Sequence, residues 1–122
     1  TAKVEAGHYT SAKFEEGESE FKACGFTPRY QTDFPAPFVA ESAIQVGLKF
    51  VEETLIELNQ TRLVIGEVMH LHIDEGILTR EGYLDLAKGN VAGISGLNSY
   101  YKLHKMADYP YARREDWMTK KE

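Results

Sequence analysis

Apolar and polar positions alternate most clearly between residues 44 and 73. Ile44, Val46, Leu48 and Phe50 alternate with Gln45, Gly47, Lys49 and Val51, a period of two that places one set on one face of a β-strand. The pattern continues less regularly from Val51 to Leu58, breaks at Asn59-Gln60-Thr61, and resumes from Arg62 to Ile73. In that second run Leu63, Ile65, Met69, Leu71 and Ile73 fall on one face, and Val64, Gly66, Val68, His70 and His72 on the other. Two long strands joined by a short polar loop predict an antiparallel hairpin. Near its middle the second strand is apolar on both sides. Such a strand needs cover on both faces, as in a closed barrel or at a subunit interface.

The flanks are less periodic. Residues 1–41 are polar and irregular, and residues 75–122 are mixed. Ala2 to His8 reads as a short helix. Ser19 is the expected N-cap of a helix over Glu20–Cys24, its hydroxyl accepting an orphan backbone N–H, with Gly25 in the left-handed position after it. Pro28, Pro35 and Pro37 impose extended backbone, so Asp33 to Phe38 is expected to be an ordered but irregular crossing with Phe34 and Phe38 packed. Glu81-Gly82 marks a turn, and Asp85 to Lys88 a helical turn ended by Gly89. Ala92 to Gly96 reads as a glycine-bearing loop, and Leu97 to Leu103 as a strand or a helix. From Arg113 a charged tail, 113–122, is expected to fray, with Trp117 its single aromatic residue. The fold class is therefore mainly β with short helices.

Length and charge narrow the function. At 122 residues and 13.8 kDa, one domain is expected. The formal net charge is −5, and the basic residues are scattered, which argues against a nucleic-acid role. No apolar run reaches the roughly 20 residues that span a bilayer, so no membrane role is expected. Thr1 to Glu5 carries no apolar signal region. The single cysteine, Cys24, excludes an internal disulfide and fits a reducing, cytoplasmic compartment.

Several groups could carry chemistry. His70-Leu71-His72-Ile73-Asp74 places three ligand types at alternate strand positions, but Glu75 stands where the corresponding metallohydrolases have a further histidine, and only His8 and His104 remain. The two histidines are therefore read as polar or interface positions, and no metal is expected. Asn59-Gln60-Thr61 matches a glycosylation pattern but reads as a hairpin loop. Cys24 lies near a helix C-terminus, where the dipole opposes a thiolate, so a buried structural cysteine is expected. Gly89, Gly93 and Gly96 lack the strand and helix of a dinucleotide fingerprint. Thr10-Ser11-Ala12-Lys13 gathers two hydroxyls and an ammonium, a set able to hold a phosphate.

Three stretches, in order and spacing, resemble a known family. They are Thr10-Ser11-Ala12-Lys13-Phe14 with Ser19-Glu20-Phe21 and Cys24-Gly25-Phe26-Thr27-Pro28; Ala36-Pro37-Phe38-Val39-Ala40-Glu41-Ser42; and Leu63-Val64-Ile65-Gly66-Glu67-Val68 with His72-Ile73-Asp74-Glu75. Together they are similar to the C-terminal two-thirds of flavin reductase-like, FMN-binding split-barrel proteins. Tyr100-Tyr101 fits the aromatic segment near the end of such proteins. The resemblance implies a split β-barrel over residues 1–112, incomplete here because the family's N-terminal strands precede the matched region. It implies a homodimer, FMN bound near the dimer interface, and electron transfer from NAD(P)H to flavin. On this basis Thr10, Ser11, Lys13, Thr61, Tyr100 and Tyr101 are the candidate flavin contacts, although relatives often carry a histidine where this chain has Thr61. No catalytic side chain is assigned, because the flavin itself does the hydride chemistry. The competing expectation is a non-catalytic β-domain acting through dimerisation or partner binding.

Overall fold

A computed structural model describes residues 3–120. In chain order the elements are α1 (Val4–Tyr9), α2 (Glu20–Ala23), β1 (Pro28–Gln31), β2 (Phe34–Val39), β3 (Ile44–Ile56), β4 (Thr61–Ile73), a 3-10 turn (Glu75–Ile77), β5 (Ala92–Ser95), β6 (Ser99–Lys102) and α3 (Arg114–Thr119). The six strands form three antiparallel two-stranded sheets, β1-β2, β3-β4 and β5-β6, which do not close into a barrel. Among the described residues no helix is long and apolar enough to cross a membrane.

The predicted long hairpin is present, pairing Ile44 with Ile73 at its base and Ile56 with Thr61 at its tip. Asn59 Oδ1 closes the loop by accepting from the N–H and the hydroxyl of Thr61, at 3.1 and 2.7 Å. The face assignment read from strict alternation needs correction. The register passes from Gly47↔His70 to Leu48↔Val68, leaving Met69 extra, and from Phe50↔Gly66 to Glu52↔Ile65, leaving Val51 extra. Each bulge shifts the alternation by one residue. Gly66 consequently lies on the face of Leu48, whose Cβ is 3.1 Å from where a Gly66 Cβ would stand. Gly47 lies on the face of His70, against the rings of Phe38 and Phe34. Leu63 and Ile65 are thereby turned away from the face of Leu71 and Ile73.

Asp33 to Phe38 is also more regular than expected. Phe34 to Val39 is a strand paired to β1, with a register shift between Arg29 and Gln31. The prolines are tolerated because β2 lies at a sheet edge, where an N–H facing away from the partner is dispensable. Phe34 and Phe38 do pack, with ring centroids 5.1 Å apart. Residues 92–96 form β5 and the start of a tight turn rather than a loop, and β6 settles the strand-or-helix ambiguity of Leu97 to Leu103.

The helical expectations hold in outline. Of the first helix, Ala2 lies outside the described residues. The second ends at Ala23, and Phe26 N–H reaches back to Phe21 carbonyl at 2.8 Å around Gly25 at φ +69°, a Schellman closure. Ser19 is the N-cap by backbone shape, but its hydroxyl makes no capping bond. Cys24 is half-buried rather than buried. The turn at Asp85 forms, with Gly89 N–H on Asp85 carbonyl at 3.0 Å and Lys88 N–H on Asp85 Oδ1 at 2.9 Å. The charged tail holds α3 where fraying was expected, with Thr119 donating its hydroxyl to Glu115 carbonyl.

The core is small. Among the described residues only Phe38, Gly47 and Ile77 are buried, the two apolar side chains each 5% exposed. The chain exposes 10690 Å², whereas a compact monomer of its mass exposes about 6600 Å². The outer half of the long hairpin contributes to it through Phe50, Val51, Leu63, Val64 and Val68, all exposed.

Candidate functional site

The base of the long hairpin gathers a connected set of polar interactions. Glu41, just after β2, accepts from the Thr27 N–H with both oxygens, from the Thr27 hydroxyl at 3.0 Å and from Lys3 Nζ at 3.1 Å. The Thr27 N–H chiefly, with Lys3 and the Thr27 hydroxyl adding to it, holds the Glu41 carboxyl down to about 2 from an ordinary value of 4.5. Lys3 also donates to Gly25 carbonyl at 2.6 Å and stands 5.0 Å from the centre of the Phe26 ring. These bonds tie the start of α1 to the turn after α2 and to the entry into β3.

Beside this clamp is a cleft of about 1040 Å³. Its walls include Val4, Phe26, Ile44, Ile77 and Val91, with Lys3, Glu41, Asp74 and Lys88 as charged groups. Neither the cleft nor the clamp was legible in the sequence, because Glu41 and Thr27 are 14 residues apart with no periodic link between them.

The candidate flavin contacts divide into three places. Thr10, Ser11 and Lys13 are exposed on the turn that ends α1, where Ser11 N–H bonds His8 carbonyl at 3.1 Å. Thr10 spends its hydroxyl proton on Gly7 carbonyl at 2.7 Å. Tyr100 on β6 is brought to the same helix: its hydroxyl lies 3.1 Å from His8 Nδ1, and the two rings meet edge to face at 5.7 Å. Tyr101 follows Tyr100 on the strand, so it points to the opposite face, and it is 56% exposed against 38% for Tyr100. Thr61 stands at the hairpin tip, about 40 Å along β4 from the base at the usual strand rise. Within one chain, α1 and Tyr100 are thus brought together, and Thr61 is remote from them.

His70 and His72 stack parallel with centroids 6.3 Å apart on the face of β4 covered by β1-β2. The Gln31 side chain lies between them, Nε2 3.2 Å from His70 Nδ1 and Oε1 3.0 Å from His72 Nε2. Gln31 Nε2 also donates to Asp33 Oδ1 at 2.8 Å, which with Asp33's own backbone N–H holds that carboxyl below its ordinary value. Phe34 meets His70 edge-on at 5.2 Å, and Phe38 meets His72 at 5.1 Å. The histidines are thus engaged with a glutamine and two phenylalanines. Among the described residues no group of three or more His, Cys, Asp or Glu is arranged to hold a metal.

No family model matches the chain, and no curated protein matches it. Solved structures do. A Shewanella frigidimarina NCIMB 400 protein assigned as a flavin reductase with a split-barrel domain is 41% identical over 92% of this chain, with a TM-score of 0.86. Flavoredoxin of Desulfovibrio vulgaris (Miyazaki F) is 25% identical over 91%, with a TM-score of 0.74. Nitrilotriacetate monooxygenase component B from Bacillus cereus shares the fold over 87%, at 24% identity and a TM-score of 0.71. The chain spans 57%, 58% and 54% of these proteins respectively. It is similar in sequence and in fold to flavin reductase-like split-barrel proteins, over somewhat more than half of their length.

Proposed function

We propose that this chain is part of an FMN-binding flavoprotein that passes electrons from NAD(P)H to flavin, acting as a cytoplasmic homodimer. The observation that carries this reading is the 41% identity, over 92% of the chain, to a protein assigned as a flavin reductase. The donor set on the α1 turn fits a phosphate in part. The Ser11 hydroxyl and the Lys13 ammonium are exposed and able to donate, whereas the Thr10 proton is already committed to Gly7. Tyr100 offers a ring edge and a hydroxyl beside that turn, while Tyr101 and Thr61 reach a flavin only from another face or from a second copy. Bound there, FMN supplies the hydride and electron chemistry. The chain's own part is to hold the phosphate and to cover the ring system from water.

Titration with FMN, followed by flavin fluorescence, tests the proposal on the protein together with any sequence that accompanies this region in its gene. Saturable uptake is expected. Lys13→Met should weaken it roughly tenfold to a hundredfold, the loss of one charge-assisted hydrogen bond. Protein that takes up no FMN would overturn the flavin reading and favour a non-catalytic barrel acting through association. Unchanged affinity in the variant would remove Lys13 from the site and leave the rest of the reading in place.

A further inference from the structure

The β1-β2 hairpin touches the base of β4 through a polar core whose hydrogen-bond roles are fixed. Asp33 Oδ1 can only accept, so the Gln31 atom 2.8 Å from it must be the amide nitrogen. That orientation directs a second Gln31 N–H at His70 Nδ1, 3.2 Å away, and presents Oε1 to His72 Nε2 at 3.0 Å. His72 must therefore donate from Nε2, which it does whether neutral or charged. His70 must accept at Nδ1, which only a neutral ring carrying its proton on Nε2 can do.

We infer that the β1-β2 hairpin is fastened to β4 by a proton-sensitive latch, closed while His70 is neutral and released when His70 Nδ1 takes up a proton. This inference does not depend on the flavin reading. With a proton on Nδ1, two donors confront each other across 3.2 Å. Turning the Gln31 amide relieves that clash but sets an N–H against His72 Nε2 and takes the donor from Asp33. Rotating the His70 ring breaks its edge contact with Phe34. Each escape loosens the same hairpin, because Phe34 and Phe38 fill the gap that Gly47 leaves beside His70.

The charged and titratable groups facing His70 are few. Asp33, in the β1-β2 turn, has Oδ2 3.9 Å from His70 Nε2 and is 67% exposed, so its pull on a charged ring is weak. Arg29 of β1 lies over the far ring, Phe38, and donates to Gln45. On β4 the neighbour is His72, whose own charging would add repulsion. Opposite His70 and His72, β3 offers only Gly47 and Gln45. Among the described residues His70 Nδ1 meets the Gln31 amide nitrogen and no acceptor.

Amide hydrogen exchange on the full chain between about pH 8 and about pH 5 tests the latch across the range where imidazoles titrate. Corrected for intrinsic rates, protection of the β1 and β2 amides should fall by up to tenfold per pH unit, the slope for uptake of one proton. The outer β3-β4 amides should not follow it. His70→Asn, which still accepts from Gln31 but does not titrate, should flatten the β1-β2 profile, and His72→Gln, whose amide N–H can stand in for Nε2–H, should keep it. Nitrogen-15 spectra of the wild-type imidazoles give a second measure independent of any variant. His70 should be the Nε2–H tautomer at high pH. Finding Nδ1–H there, or finding His70 doubly protonated with β1-β2 protection intact, would overturn the latch.

Discussion

At the scale of single residues, two positions decide how the base of the hairpin holds. Gly47 is tightly enclosed: a Cβ there would stand 3.0 Å from Phe38, 3.1 Å from Phe34 and 3.2 Å from His70 Cβ. The first two neighbours are rings packed against the strand, with little room to move. Gly47→Ala should therefore lower stability by about 1–3 kcal/mol, the usual cost of overpacking, and chemical denaturation would read it. An unchanged midpoint would mean that the rings yield. Glu41 makes the other prediction. Its carboxyl sits at about 2 in the folded chain against an ordinary 4.5, so its contribution is present above about 4.5 and disappears as the pH falls towards 2. Glu41→Gln should flatten the dependence of the melting temperature on pH in that window. Parallel curves for the two proteins would show that the clamp adds nothing.

At the scale of elements, the parts legible in the sequence were those with a local signal. The long hairpin announced itself through period-two alternation and a polar interruption. The turn after α2 announced itself through Gly25, the one residue there that takes a positive φ without strain. What stayed hidden was non-local. Pro35 and Pro37 made β2 look irregular, and only its edge position, which no local pattern encodes, lets it pair. The contacts of Gln31 with His70 and His72 span 39 and 41 residues. The bulges were hidden for another reason: Met69 and Val51 are ordinary apolar residues, and only the partner strand shows that they are extra. Of the candidate flavin contacts, Thr10, Ser11 and Lys13 had a local signal as a cluster of donors, whereas Thr61, Tyr100 and Tyr101 came from the resemblance, and of these three Tyr100 meets α1 in one chain. The bulge makes its own prediction. Because Leu48 already faces Val68, deleting Met69 should preserve that pair and leave His70 under β1-β2. Cross-strand NOEs between Leu48 and Val68 would check it. Their replacement by Leu48–Glu67 contacts would show that Met69 sets the register instead.

At the scale of the whole molecule, the excess exposure of about 4000 Å² over a compact monomer is larger than a standard interface of about 1600 Å². The two-sided apolar strand expected from the sequence is thus present as exposed surface on both faces of the outer hairpin. Sedimentation at low micromolar concentration should find an assembly, and a stable folded monomer would refute that expectation. Val68→Asp should weaken the assembly roughly a hundredfold or more, since an uncompensated charge in an apolar contact costs about 3 kcal/mol or more. A further consequence follows from the sheets having only two strands each. Among the described residues every strand keeps one hydrogen-bonding edge without a strand beside it. On β3 and β4 those edges run for 13 residues. Such edges are templates. A chain whose edges stay uncovered would recruit further chains edge to edge, so loss of that cover would appear as fibrous aggregate rather than as soluble monomer.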